Sequence, residues 1–344
     1  MISALLSPGS APLSCPPAAP VHAWMPSSPC GPDCVDAPTE AGTLRVAARV
    51  LSFAAVLSTF PVAYLAAPRR WRPAVNRRYA RTLLFCCGIR IRVIDNSAAG
   101  AAPADPGTGL LVVADHVGWT DIAVLAAVQP MGFVARADLI DWPLLGGIAR
   151  MVRVLPIERE SLRRLPGVVD QLAARLRSGD RVAIFPEGTT WCGRARGRLR
   201  PALFQAAVDT GTPVRPMHLR YRDRVGNLST IPGFIGADTL SDSIRRVLRS
   251  RGVVAEVVLR PLEMPGTDRH DLARRCERAL NDAHADQDFA AWPVHAREAG
   301  AGQLREEQPS VQPDQVLAPN AHPDRNAVFK GGSPHRRVVG AVRV

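Results

Sequence analysis

The sequence predicts an α/β fold: a mixed sheet flanked by helices and preceded by an N-terminal membrane-associated helix. Three observations carry that expectation. From about residue 88 to 287, short apolar strand-like runs alternate with segments of helical period, the pattern of a layered α/β domain. Upstream, residues 50–67 form an uncharged apolar stretch with arginines on both sides. The two ends of the 344-residue chain are too biased in composition to join a packed core, so one domain with loose flanks is expected.

Taken in order, residues 1–40 are rich in Pro, Ser and Ala, have no apolar period, and are expected to be disordered. With no basic residue before Arg45, they do not read as a secretory signal. Residues 41–85 are the membrane-associated helical segment. Its apolar part sits at the lower length limit for crossing a bilayer and contains Pro61, so a full span, a re-entrant helix and a buried core helix all fit. The denser arginine cluster from Arg69 to Arg81 puts the following domain on the cytoplasmic side of the cell membrane by charge asymmetry.

Within the domain, residues 86–290, strands are expected at 89–94, 110–115, 132–137, 152–157, 181–186, 213–221 and 253–262. Helical patterns occupy 161–177, 201–210 and 268–286, the last with Leu272, Cys276 and Leu280 on one stripe. Residues 291–344 mix Gln, Pro, Gly, His and Arg and are expected to be disordered.

A formal net charge of +12, carried by Arg more than Lys, favours a partner with phosphate or an anionic surface. Nucleic acid, acidic lipid headgroups and a small phosphorylated substrate all satisfy that requirement. Only 5% of residues are aromatic and no docking module is recognisable, which argues against nucleic acid. The seven cysteines, Cys15, Cys30, Cys34, Cys86, Cys87, Cys192 and Cys276, lack zinc-site spacing, so neither a metal nor structural disulfides are expected.

Three motifs carry chemistry. His116-Val117-Gly118-Trp119-Thr120-Asp121 follows an apolar strand and precedes a helix-like run. A histidine there can take a proton from a hydroxyl, and a carboxylate five residues on can reach its other ring nitrogen, fixing the tautomer and stabilising the imidazolium. If the acceptor hydroxyl attacks an activated acyl carbon directly, no Ser or Cys nucleophile is needed. The same spacing also fits a surface His beside an N-capping Asp.

The second motif, Phe185-Pro186-Glu187-Gly188-Thr189-Thr190, ends another strand in a turn suited to phosphate or an oxyanion, although a plain turn with a solvated Glu187 has the same signature. The third runs from Phe133 and Arg136 through Trp142 to Ile157-Glu158-Arg159. Arg136 and Arg159, at neighbouring strand ends, can grip one phosphate or stand solvated. After the second motif, Arg194, Arg196, Arg198 and Arg200 alternate with small or apolar residues, which suits anionic headgroups, carrier phosphates or plain solvation.

His116 to Asp121, Ile157-Glu158-Arg159, Phe185 to Thr190 and Pro213-Val214-Arg215-Pro216 occur in the order of four known blocks. Over residues 45–265 the chain resembles the lysophosphatidic acid (1-acylglycerol-3-phosphate) acyltransferases of phospholipid synthesis. The wording of the first and third blocks is also similar to the branch that acylates lyso-ornithine lipid. The resemblance implies a glycerolipid acyltransferase-like fold, with His116 as general base and Asp121 as its orienting partner. It implies that Arg159 with Glu187, Gly188 and Thr189 forms the acceptor-phosphate site for a lysophospholipid, to which the residue reading adds Arg136. Acyl-CoA or acyl-ACP (acyl carrier protein) is the co-substrate, with no bound cofactor, and an anionic membrane surface is the partner. Asp115 stands where this family usually has Asn, leaving a second carboxylate beside His116, and Gly118 where Ser is frequent. A nucleic-acid-binding protein is the competing class, and a catalytically silent membrane adaptor with the same fold is a third.

Overall fold

Five consecutive apolar residues, Leu110–Ala114, form a strand with every side chain buried. Such a strand needs neighbours on both edges and cover on both faces. The computed structural model describes residues 25–37, 40–97, 107–142 and 145–285. In it the strands are β1 (Ile89–Asp95), β2 (Leu110–Ala114), β3 (Gly132–Arg136), β4 (Leu155–Ile157), β5 (Arg181–Ile184), β6 (Val214–Arg222) and β7 (Val253–Leu259). They join in one sheet of order β1-β7-β6-β2-β5-β3-β4, with β2 central. Only β6 and β7 pair antiparallel.

The helices are α1 (Thr43–Ala66), α2 (Arg72–Cys86), α3 (Thr120–Val128), α4 (Leu145–Met151), α5 (Leu165–Arg177), α6 (Gln205–Thr210), α7 (Leu240–Arg249) and α8 (Arg269–Ala285). Alternate β2 side chains feed two cores. Val112 and Ala114 pack with Leu84 of α2, Leu125 of α3 and Val247 of α7. Leu111 and Val113 pack with Leu172 of α5, Ala207 of α6 and Leu280 of α8. The sheet is therefore clad by helices on both faces, as the alternation of strands and helices required.

Boundaries shift where local sequence misleads. Of the strand expected at 152–157, only Leu155–Ile157 is extended, because α4 reaches Met151 and Arg153 turns the chain at φ 57°. Neither α4 nor α7 was anticipated; both are short, and α7 is largely polar.

α1 begins seven residues ahead of the uncharged stretch, taking Arg45 and Arg49 into the helix. The Arg49 guanidinium donates to the carbonyls of Leu248 and Ser250 at 2.9 and 2.6 Å, at the C-terminal end of α7. Arg77 and Arg81 on α2 both donate to the Ala127 carbonyl at the end of α3, at 3.2 and 3.1 Å. These arginines satisfy last-turn carbonyls and sit at the negative poles of the helix dipoles. Phe53 meets Trp119 edge-on, and Phe60 meets Tyr79. The α1–α2 pair thus lies along the domain, while Leu51, Val62, Leu65 and Phe85 remain exposed.

The N-terminal forty residues, expected to be disordered throughout, depart from that expectation in part. Residues 1–24 lie outside the described residues, as does the tail from 286. Residues 25–37 are placed against the domain: Cys30, Cys34 and Val35 pack with Trp191, Cys192 and Ile235, and Thr230 donates its hydroxyl to Asp36 at 2.8 Å. Composition missed this because the anchoring contacts come from distant parts of the chain rather than from an apolar period.

Candidate active site

The order β2-β5-β3-β4 brings four parallel strand ends side by side, and in open α/β sheets such carboxyl ends border the ligand crevice. His116 follows β2, the 185–190 turn follows β5, Arg136 ends β3 and Arg159 follows β4. A pocket of about 540 Å³ opens there, lined by His116, Arg136, Arg159, Gly188 and Thr189, with Ile122, Leu165, Phe185 and Leu203 among its apolar walls.

The carboxylate of Asp121 is wholly buried in the first turn of α3. Its Oδ2 lies 3.0 Å from His116 Nδ1 and accepts the Val117 and Gly118 N–H groups at 2.6 and 2.9 Å. Its Oδ1 accepts the Tyr221 hydroxyl at 2.7 Å, and Thr120 Oγ1 lies 2.8 Å from that hydroxyl. The imidazole stacks on Phe185, with ring centroids 4.1 Å apart. With Nδ1 engaged and the ring fixed, Nε2 is the nitrogen left to meet a ligand in the pocket. A neutral imidazole held this way can accept a proton from a hydroxyl and return it to a leaving group.

Glu187 points the other way. Its carboxylate accepts the His116 N–H at 3.1 Å and the Gly197 N–H at 2.8 Å, and it is almost fully buried. The His116 carbonyl in turn accepts the Trp191 N–H at 2.8 Å. Glu187 therefore stitches the β2–α3 turn to the loop after β5 instead of facing the pocket. Burial, then the nearby Asp115 charge, push its carboxyl up to about 8. Gly188 adopts φ 76°, the left-handed conformation that glycine tolerates, and allows the reversal that sends Glu187 inward and Thr189 outward.

Arg159 is largely desolvated and makes no hydrogen bond or ion pair with the described residues. Burial and then neighbouring Arg136 lower its guanidinium to about 10. Arg136 is exposed and forms a two-point contact with Asp138, at 3.0 and 2.6 Å. A guanidinium that is largely desolvated and has no bonded partner beside a pocket fits a negatively charged ligand group, although Asp138 and Glu160 lie close enough to act on it.

Asp115, next to the histidine in sequence, turns to the opposite face. Its Oδ2 meets His218 Nδ1 at 2.6 Å and the Leu219 N–H at 3.1 Å, while Arg196 stands 3.5 Å from Oδ1. Sequence reasoning did not single out His218 or Tyr221, and neither lies in a motif. The only hint was the polar pair embedded in an apolar strand. The arginine loop divides: Arg194 pairs with Asp36, Arg196 turns inward and Arg200 reaches the pocket. At Gly118 an added Cβ would stand 2.3 Å from the Pro232 carbonyl oxygen, so this loop packs against a turn that has no room for serine.

The family model described as Acyltransferase matches residues 89–220. The chain is 38% identical over 211 residues to a lyso-ornithine lipid O-acyltransferase of Pseudomonas aeruginosa, covering 61% of this chain and 78% of that protein. It is 30% identical over 274 residues to one of Rhodobacter capsulatus, covering 75% of this chain and 95% of the relative. A 1-acyl-sn-glycerol-3-phosphate acyltransferase of Neisseria gonorrhoeae is 35% identical over 133 residues, which is 39% of this chain but only about half, 52%, of that protein. Among solved structures, the 1-acyl-sn-glycerophosphate (LPA) acyltransferase PlsC of Thermotoga maritima shares the fold, with a TM-score of 0.53 at 15% identity over 73% of this chain and 98% of that one.

Two expectations come from this geometry. Tyr221→Phe leaves Asp121 Oδ1 and the Thr120 hydroxyl without their buried partner, so denaturant unfolding of the detergent-solubilised chain should register a loss of about 1–3 kcal/mol. Glu187 keeps its proton up to about 8 in the fold, against 4.5 as the ordinary value. Across that window the folded state binds the extra proton, so this group's stabilisation is complete below 4.5 and disappears as pH rises through 8. The thermal midpoint should fall over that range, and Glu187→Gln should flatten the fall.

Proposed function

The chain belongs to the acyltransferase family, and from that premise we propose that it moves a fatty acyl group from a thioester to the free hydroxyl of a lysolipid, with His116 as general base. The observation that carries this reading is the buried Asp121 carboxylate on His116 Nδ1, which leaves Nε2 for a pocket whose lining combines apolar residues with Arg159. The acceptor hydroxyl gives its proton to Nε2 as its oxygen bonds to the thioester carbonyl carbon. The C–S bond then breaks, and the imidazolium returns the proton to the departing thiolate. Asp121 stabilises the imidazolium between the two steps.

Arg159, with Gly188 and Thr189 at the turn, receives the anionic part of the acceptor headgroup; Arg136 adds charge from the rim. Glu187 acts through the main chain of His116 and Gly197 and does not touch the ligand. Ile122, Leu165 and Leu203 offer the apolar wall for acyl chain, each buried methylene contributing about 0.8 kcal/mol. The donor is acyl-CoA or acyl-ACP, and the exposed Arg198 and Arg200 suit its phosphate.

Lyso-ornithine lipid is the first acceptor to test, because the relatives that this chain spans over 78% and 95% of their length carry that name. The Arg159 guanidinium can pair with the carboxylate of an ornithine headgroup. 1-Acylglycerol-3-phosphate is the second reading, favoured by the Neisseria relative and by the shared fold.

The α1 helix has 24 residues and is long and apolar enough to cross a membrane, about 36 Å at 1.5 Å per residue. Its attachment argues for a different placement. Arg49 near its start is bound to α7, and its end is held through α2, so the pair lies beside the domain with its apolar side in one leaflet. The exposed Arg69, Arg70 and Arg78 then meet anionic headgroups on the cytoplasmic side of the cell membrane.

Acyl-donor consumption by the protein in vesicles, read as thiol release with each lysolipid, tests the proposal. Release should require an acceptor and drop by about 10²–10⁴ in His116→Ala. Release that is equal in the two proteins, or absent with every acceptor, refutes it. Arg159→Ala should raise the acceptor KM about 10- to 100-fold, the equivalent of ~1.5–3 kcal/mol for a hydrogen bond to a charged group, and leave the donor KM unchanged. Equal rises in both would remove Arg159 from the headgroup site.

A further inference from the structure

A group of side chains that the acyl-transfer chemistry does not use begins at Cys30, whose N–H donates to the hydroxyl of Ser28, a residue of the pocket lining. Cys30 precedes and Cys34 ends the 3-10 turn Pro32–Cys34, and both meet Cys192, which directly follows Trp191 in the loop after β5. The three sulfur atoms lie within 4.8 Å of one another. Thiolates bound to one zinc ion at about 2.3 Å stand about 3.8 Å apart in a tetrahedral arrangement, so the sulfurs need only a small inward rotation to share an ion. Cys30 and Cys192 are buried and Cys34 is partly exposed, which leaves one side open for exchange.

The surroundings of the sulfurs are polar where a ligand set needs them to be. The Cys192 N–H and the Ser28 hydroxyl are directed at the Cys30 sulfur, and the N–H groups of Arg194 and Ala195 at the Cys192 sulfur. Gly193 takes φ 90°, a conformation open to glycine, and so turns those two amides back onto the side chain that precedes them. N–H donors on sulfur favour the thiolate, which is the ligand form.

We propose that Cys30, Cys34 and Cys192 bind a single thiophilic cation of the zinc class, clamping residues 25–37 to the loop after β5 at the mouth of the pocket. Soft thiolates select zinc over magnesium or calcium, and three protein ligands leave the fourth position for water. Binding releases the thiol protons to solvent and forms three metal–sulfur bonds. The clamp bears on the pocket because Pro26 and Ser28 line it, and a Cβ on Gly188 would come within 2.7 Å of Pro26 Cγ. Cys30 and Cys34 have a spacing that suits zinc, but the third ligand is remote in the chain, and only the fold assembles the set. This site is independent of the acyl-transfer reading.

The test uses the full chain, reduced and in detergent, loaded with Zn(II) and freed of unbound metal. One zinc per chain is expected, and Co(II) in its place should give thiolate charge-transfer absorption. Cys30→Ser, Cys34→Ser and Cys192→Ser should each abolish retention, whereas Cys86→Ala, on α2 and away from the cluster, retains it. In the unmodified chain, a chelator should expose three additional thiols to a thiol reagent, the number in the cluster. No retained zinc, equal retention in Cys192→Ser, or a disulfide between two of the three in the reduced protein overturns the proposal.

Discussion

A carboxylate with no access to water has to be given partners by the protein, and Asp121 receives four. Two are amides of its own turn, one is the imidazole of His116, and one is the Tyr221 hydroxyl from β6. Losing any of them would leave charge or a donor stranded in a low-dielectric interior, where stranding is expensive. The turn conformation, the start of α3, the tautomer of the histidine and the register of β6 against β2 are consequently linked through one side chain. The neighbouring Asp115 does the same on the other face of the strand, on His218 and the Leu219 amide. Two successive carboxylates thus organise opposite sides of the sheet end, one toward the pocket and one toward the interior.

The position of the pocket follows from topology. The chain leaves β2 through α3, builds β3 and β4, and returns through α5 to insert β5 between β2 and β3. That insertion places Phe185 under the histidine ring and Glu187 against its main chain. The loop beyond, held through Gly197 and Trp191, closes over the same turn. Parts separated widely in sequence converge since parallel strands expose their carboxyl ends along one edge.

The excess of arginine acquires meaning only when each guanidinium is traced. Arg49, Arg77 and Arg81 serve helix ends. Arg220 and Arg222 share Glu256 with Arg92, and Arg246 holds Asp238. Much of the positive charge is thereby spent on architecture, and Arg159 stands apart as a desolvated cation facing the pocket. Leu51, Val62 and Leu65 of α1 and Phe85 of α2 are exposed, which gives this helix pair an apolar surface.

All seven strands and the three helical patterns were legible in the sequence, because apolar period and length report burial directly. The histidine and aspartate, the 185–190 turn and the two arginines were legible as well, since strand-end polar motifs interrupt an apolar pattern. Other features depended on contacts between segments far apart in the chain: the inward turn of Glu187, the roles of Tyr221 and His218, the docking of residues 25–37 and the gathering of three cysteines. Local sequence encodes which residues are apolar and where turns fall. Which face a carboxylate points to, and which thiols meet, is decided by strand order and register, and those emerge only when the whole sheet is assembled.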